Sequence, residues 1–134
     1  MAKSLQEQLK AIADKRIEDV EDIMSASMLR MGNRIILDSP VDEGRFVNNW
    51  MSAVDRVDKS TRNTVSVGGA DSRKDLLEVT SNIQIGATFY FSNSLPYAHR
   101  LEYEGWSAQA PKGMVRVNAM YWDNIVQEEV NKRK

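Results

Sequence analysis

Apolar residues in the first part of the chain recur at helical spacing. Leu5, Leu9, Ile12, Ile17, Val20, Met24, Met28, Met31 and Ile35 fall three to five positions apart, and neither Gly nor Pro intervenes before Gly32. The pattern predicts one long helix, Leu5 to Leu37, stopped at Asp38-Ser39-Pro40 because proline pushes the preceding residue out of helical geometry. Its first half carries a narrow apolar stripe among Glu7, Lys10, Lys15, Glu18 and Asp19. In the second half Met28, Leu29, Met31, Ile35, Ile36 and Leu37 surround much of the helix, which reads as core. About 33 residues at roughly 1.5 Å each make a rod of roughly 50 Å. A compact body of this chain length is only about 35 Å across. Three outcomes are open: a break near Ser25-Ala26-Ser27 or Gly32, a bend around the chain's own core, or a projecting amino-terminal half whose stripe needs a partner.

Beyond Pro40, Val41 to Phe46 reads as a loop and short turn leading to Asn48-Asn49-Trp50. Met51–Val57 and Thr64–Val67 read as two strands joined by the polar turn Asp58–Asn63, a hairpin ended by Gly68-Gly69. Asp71 or Ser72 caps a short helix through Ser81 with Leu76, Leu77 and Val79 inward. Period-two alternation is clearest from Ile83 to Ser92. There Ile83, Ile85, Ala87, Phe89 and Phe91 share one side, as in a half-buried antiparallel strand. Asn93 to Pro96 turns the chain, Tyr97–Tyr103 makes one or two helical turns, and Gly105–Gly113 is a loop. Met114–Val117 reads as a short edge strand. Asn118 then caps a final helix carrying Tyr121, Trp122, Ile125, Val126 and Val130, with Lys132-Arg133-Lys134 at the negative end of its dipole. The expected class is α+β: a long N-terminal helix, a small antiparallel sheet of about four strands, short helices and a C-terminal helix. No internal repeat or linker divides the chain, so 1–134 reads as one domain, with 1–37 the helix and 38–134 the sheet and short helices.

Composition narrows the function classes. At 134 residues, 42% apolar and 28% charged, the chain has ordinary globular composition. The formal net charge is −1 and no basic run occurs, which removes the field of a dedicated nucleic-acid binder. Cysteine is absent, so disulfides and thiolate metal sites are excluded. Met1-Ala2-Lys3-Ser4 leads straight into the amphipathic pattern, with no apolar signal segment and no membrane-length span. Synthesis in the cytoplasm and no membrane partner are expected.

Candidate chemistry is sparse. His99, the only histidine, could share a side with Glu102 as the start of a metal site, but two ligands are too few. Asp42 and Glu43 precede Gly44 as turn residues do. Gly68-Gly69 lacks the Lys and Ser or Thr of a phosphate loop. No catalytic residue, cofactor site or metal site is expected. Lys112, Arg116, Lys132, Arg133 and Lys134 could meet a nucleic-acid backbone from inside a ring, or form an ordinary solvated face. The seven methionines suit an adaptable core or interface. Tyr97, Tyr103 and Trp106 lie in a Pro- and Gly-bounded stretch, where aromatic residues serve either subunit contact or local packing.

Two stretches go further. Pro40-Val41-Asp42-Glu43-Gly44-Arg45-Phe46, with Asn49-Trp50, resembles the segment after the first helix in the neck, or tail-completion, proteins of long-tailed bacteriophages. Asn93, Pro96-Tyr97-Ala98, Leu101-Glu102, Gly105, Ser107 and Gln109-Ala110-Pro111-Lys112-Gly113-Met114-Val115-Arg116 are similar to a second segment of that family. The chain departs from it where Glu43 replaces a threonine and Glu104 lengthens the step to the glycine. The resemblance implies a structural virion subunit without enzymatic activity, six to a ring, joining tail to head. Its partners would be further copies of itself, the tail terminator or tail tube, and head-closure or connector proteins, with passive contact to DNA in the channel. A tail terminator or head-closure protein is the nearest alternative, and a small DNA-binding module a more distant one. Under this reading Tyr97, Leu101, Glu102, Trp106, Gln109, Pro111 and Met114 are expected to form a docking surface. Leu5, Leu9, Ile12 and Ile17 would form a subunit contact, and Pro40, Gly44, Trp50, Asn93, Pro96, Gly105 and Gly113 would shape the loops.

Overall fold

The computed structural model describes Ser4 to Lys134; the start segment Met1-Ala2-Lys3 lies outside the described residues. The first helix, α1, spans Leu5–Asp38 without a break. Ser4 caps it by accepting a hydrogen bond from the Glu7 N–H at 3.1 Å, and the Glu7 carboxylate accepts from the Ser4 N–H at 3.2 Å. That reciprocal box satisfies two of the donors every helix start leaves over. At the other end Ser39 closes the helix, its hydroxyl donating to the Ile35 carbonyl at 2.7 Å. The same hydroxyl accepts from the indole N–H of Trp50 at 2.9 Å, which ties the helix stop to the core.

The other elements follow as a 3-10 turn Val47–Asn49, β1 Met51–Val54, α2 Ala70–Thr80, β2 Phe89–Ser92, α3 Ala98–Tyr103, α4 Val115–Ala119 and α5 Trp122–Asn131. This is a mixed helix and sheet fold with a long N-terminal helix. The sheet has two strands among the described residues, not about four. β1 and β2 pair antiparallel, with Met51 opposite Ser92 and Val54 opposite Phe89. The core gathers Ile35, Ile36, Phe46, Val47, Trp50, Leu76, Leu95, Leu101, Ala110 and Met114. Trp50 lies stacked on Phe91 at 5.0 Å between ring centroids and edge-on to Phe46 at 5.7 Å.

Each missing strand has a local cause. Thr64–Val67 does not pair with β1, because side chains of Asn48 and Asn49 hold the chain at Arg62 and Thr64 instead. The Asn49 Oδ1 accepts from the Arg62 N–H at 2.6 Å, its Nδ2 donates to the Arg62 carbonyl at 3.2 Å, and the Asn48 Nδ2 donates to the Thr64 hydroxyl at 3.1 Å. Asp55, at φ 67°, ends β1 before Val57. The strand predicted from Ile83 shortens to Phe89–Ser92, since Gly86 sits at φ 93° in a turn where the Ala87 N–H donates to the Gln84 carbonyl. Met114–Val117 is no strand at all but the start of α4, for a reason that belongs to the site below.

α2 begins at Ala70 after Gly69, with the Asn48 Oδ1 accepting from the Asp71 N–H at 2.8 Å, so neither Asp71 nor Ser72 is its cap. Its buried face is Ser72, Leu76 and Thr80, four residues apart; Leu77 points outward. Asn118 likewise does not cap α5. It is buried in α4, where its Oδ1 accepts from Arg34 Nε at 2.9 Å and its Nδ2 donates to Asp38 and to the Met114 carbonyl. Leu37 also leaves the predicted core and is exposed.

Candidate docking surfaces

Every residue of α1 from Leu5 to Glu18 is exposed. Leu5, Leu9, Ile12 and Val20 are about half exposed or more; Leu9, for instance, is 56% accessible. At about 100° per residue these four fall within an arc of about 80°, and Arg16 falls inside that arc. Ser27, the first buried position of α1, continues the same arc into the body. There α5 covers it: Arg30 donates to Glu128 and Glu129 at 2.7 and 2.8 Å, and the Arg34 guanidinium lies 4.6 Å from the Tyr121 ring centroid. One continuous stripe therefore runs the length of α1, packed from Ser27 onward and bare before Asp19. Ile17 is exposed as well, on the margin of the stripe.

The cations of the free half are unevenly used. Lys10 pairs with Asp14 at 2.8 Å and Lys15 with Asp19 at 3.0 Å, each four residues on. Arg16 makes no hydrogen bond or ion pair among the described residues.

The second surface lies where α1 ends. Pro40, Phe46, Tyr97 and Trp106 frame an open cleft of about 410 Å³, with Asp42, Glu43 and Arg45 on its rim. Its walls are locked by polar contacts. The Gln109 side chain clamps Val41 in both directions, its Oε1 accepting from the Val41 N–H and its Nε2 donating to the Val41 carbonyl, each at 2.9 Å. The Arg100 guanidinium lies 4.7 Å from the Trp106 ring centroid, holding an indole that is 59% accessible. Asn93 donates to the Phe46 carbonyl at 2.9 Å.

Glu102 is the polar anchor beneath. Its carboxylate accepts from the backbone N–H groups of Met114, Val115 and Arg116 at 2.9 to 3.0 Å and from Arg116 Nε at 3.1 Å. A carboxylate receiving three adjacent N–H groups forces the chain there into helical geometry, which is why α4 replaces the predicted strand. Burial pushes this carboxyl up, but the three N–H donors and Arg116 outweigh it and hold it below the usual carboxylate range. Gly113 makes the approach possible. It sits at φ 84°, and a Cβ there would lie 2.6 Å from the Glu102 carbonyl oxygen. Gly44 and Gly105 also take positive φ, at 89° and 61°.

Of the expected docking residues, the structure brings Tyr97, Trp106 and Gln109 together at the cleft, with Pro111 exposed in the adjoining loop. Leu101 also lines the cleft although little of it is accessible, whereas Glu102 and Met114 are buried and hold the loops from beneath. Trp50 is a core residue pinned by Ser39. Sequence reasoning missed Asp42 and Glu43 as cleft residues, although their place after Pro40 carried the signal. It also missed the stacking of Arg100 on Trp106. His99 is exposed and packs on Tyr103 at 4.8 Å between ring centroids, while the Glu102 carboxylate is taken up by backbone N–H groups and Arg116. Among the described residues, no group of three or more His, Asp or Glu side chains could hold a metal ion, and no helix is long and apolar enough to cross a membrane. No protein-family model matches the chain, and no curated protein and no solved structure matches it.

Proposed function

We propose that the chain is a structural subunit of the neck of long-tailed bacteriophages, without enzymatic activity, whose copies form a ring that completes the head-proximal end of the tail and joins it to the head. The observation that carries this reading is the bare half of α1. Isolated helices of this length are marginal in water, and a row of leucine, isoleucine and valine kept in solvent is costly unless another polypeptide covers it. Support also comes from the cleft, whose walls are fixed by Gln109, Glu102 and Gly113 before any partner arrives, so little order is lost on docking. These walls are built from the two stretches that resemble the neck proteins. The ring number of six comes from that resemblance alone. Besides further copies of itself, the partners are the tail terminator or tail tube on one side and head-closure or connector proteins on the other, with DNA passing the inner wall.

The test is a phage encoding this chain in which the coding sequence is inactivated. Filled heads and finished tails should accumulate unjoined, and the purified chain should join them in the extract. A Leu9→Asp, Ile12→Asp double variant should fold and fail to join. Normal virions without the chain would end the proposal.

A further inference from the structure

The bare stripe and the cleft lie at opposite ends of one rigid helix, and their chemistry is complementary. The stripe is convex and aliphatic with one cation, Arg16, that has no ion-pair partner among the described residues. The cleft is concave and lined by Pro40, Phe46, Tyr97 and Trp106, and two uncommitted carboxylates, Asp42 and Glu43, stand on its rim beside Arg45. Within one chain they cannot meet, since α1 is unbroken from Leu5 to Asp38.

We propose that the amino-terminal half of α1 of one copy seats its Leu5, Leu9 and Ile12 in the cleft of the next copy, with Arg16 reaching Asp42 or Glu43. This inference deepens the reading of the chain as a ring subunit, because it names the occupant of each surface. The contact is head-to-tail: every copy gives a helix at one end and receives one at the other. Such contacts propagate until they close, which is how one protein makes a ring. An alternative use of the stripe, pairing with the same stripe of a second copy, would stop at a dimer. It would also bring two Arg16 side chains into one apolar seam, and Asp19, the acid that borders the stripe, already holds Lys15. Charge therefore favours the cleft over a second stripe. Aliphatic groups on a helix face entering an aromatic-lined groove is a recurring mode of recognition, and a central aromatic such as Trp106 is the usual anchor.

Complementation between two defective variants tests the arrangement. A donor-dead chain carries Leu9→Asp and Ile12→Asp; an acceptor-dead chain carries Trp106→Ala, Asp42→Lys and Glu43→Lys, all at exposed positions. Circular dichroism first establishes that each is folded. The wild-type chain should self-associate with rising concentration in native mass spectrometry, whereas each variant alone should stay monomeric. Mixed, with one of them isotope-labelled, they should form a one-to-one heterodimer and nothing larger, because only one donor and one acceptor remain intact. Arg16→Glu should weaken self-association about tenfold, and mixing it with the Asp42→Lys, Glu43→Lys chain should recover part of that loss. A wild-type chain that stays monomeric at its highest soluble concentration overturns the contact, as does an acceptor-dead chain that assembles like wild type. The outcome is separable from the neck role. Joining of phage heads to tails without complementation removes only this contact, and complementation without such joining removes only the neck assignment.

Discussion

Glu102 shows how much of a local fold one side chain can decide. It is nearly inaccessible, and its two oxygens receive the first three N–H groups of the α4 turn together with Arg116. Removing the carboxylate leaves buried donors without acceptors, so Glu102→Ala should cost about 2–4 kcal/mol in urea unfolding. Glu102→Gln keeps one acceptor oxygen and should lose roughly half as much. Glu129, near the end of α5, is a second buried carboxylate, held by side-chain cations rather than by backbone N–H groups. Lys132, Arg30 and Arg133 hold its carboxyl at about 2, down from an ordinary 4.5, although burial works against them. A depressed acid stabilises fully above its unfolded value and loses that contribution as pH falls toward its folded value. Wild-type stability should therefore decline by up to about 3 kcal/mol between pH 4.5 and pH 2. Glu129→Gln should be less stable at neutral pH and show a flatter acid limb in pH-dependent urea titrations; an unchanged limb would remove Glu129 from the acid response.

Among the elements, α1 divides into two regimes that one continuous hydrogen-bond ladder conceals. Amides before Asp19 have no tertiary cover in the monomer and should exchange within seconds. Those around Ile35 and Ile36 should exchange only with global unfolding. On assembly the early amides should slow by at least about tenfold. Deleting residues 1–18 should leave the thermal midpoint of the monomer almost unchanged while abolishing self-association. The long helix was legible because its period holds for over thirty positions and its stop at Pro40 is chemically forced. The strands were not. Alternation from Ile83 to Ser92 looked continuous, but Gly86 carried the turn, and a glycine inside a strand pattern is the residue that should have raised the question. The lost hairpin was decided by Asn48 and Asn49, whose amides bond to backbone across thirteen or more positions. No window of sequence contains that information. The cleft was half legible: its aromatic residues stood out as loop residues, whereas Glu102 and Met114 look identical in sequence whether they face outward or hold the loops from beneath.

For the whole molecule, what matters is how α1 is fastened. Its buried end crosses α2 at Gly32, where a Cβ would lie 2.5 Å from Leu76 Cδ2, and Leu76 is completely inaccessible. A methyl group at that point has to displace the Leu76 side chain or push the two helices apart. Gly32→Ala should destabilise the monomer by about 1–3 kcal/mol, read as a lower urea midpoint. The same substitution has a geometric effect at a distance. From Gly32 to Leu5 the rod is a lever of roughly 40 Å, so a tilt of about 5° at this fulcrum swings its tip by about 3.5 Å, close to the width of a methyl group. In the proposed ring, the angle at which one copy would hand on to the next, and with it the circumference the copies would enclose, depends on a position that has no side chain.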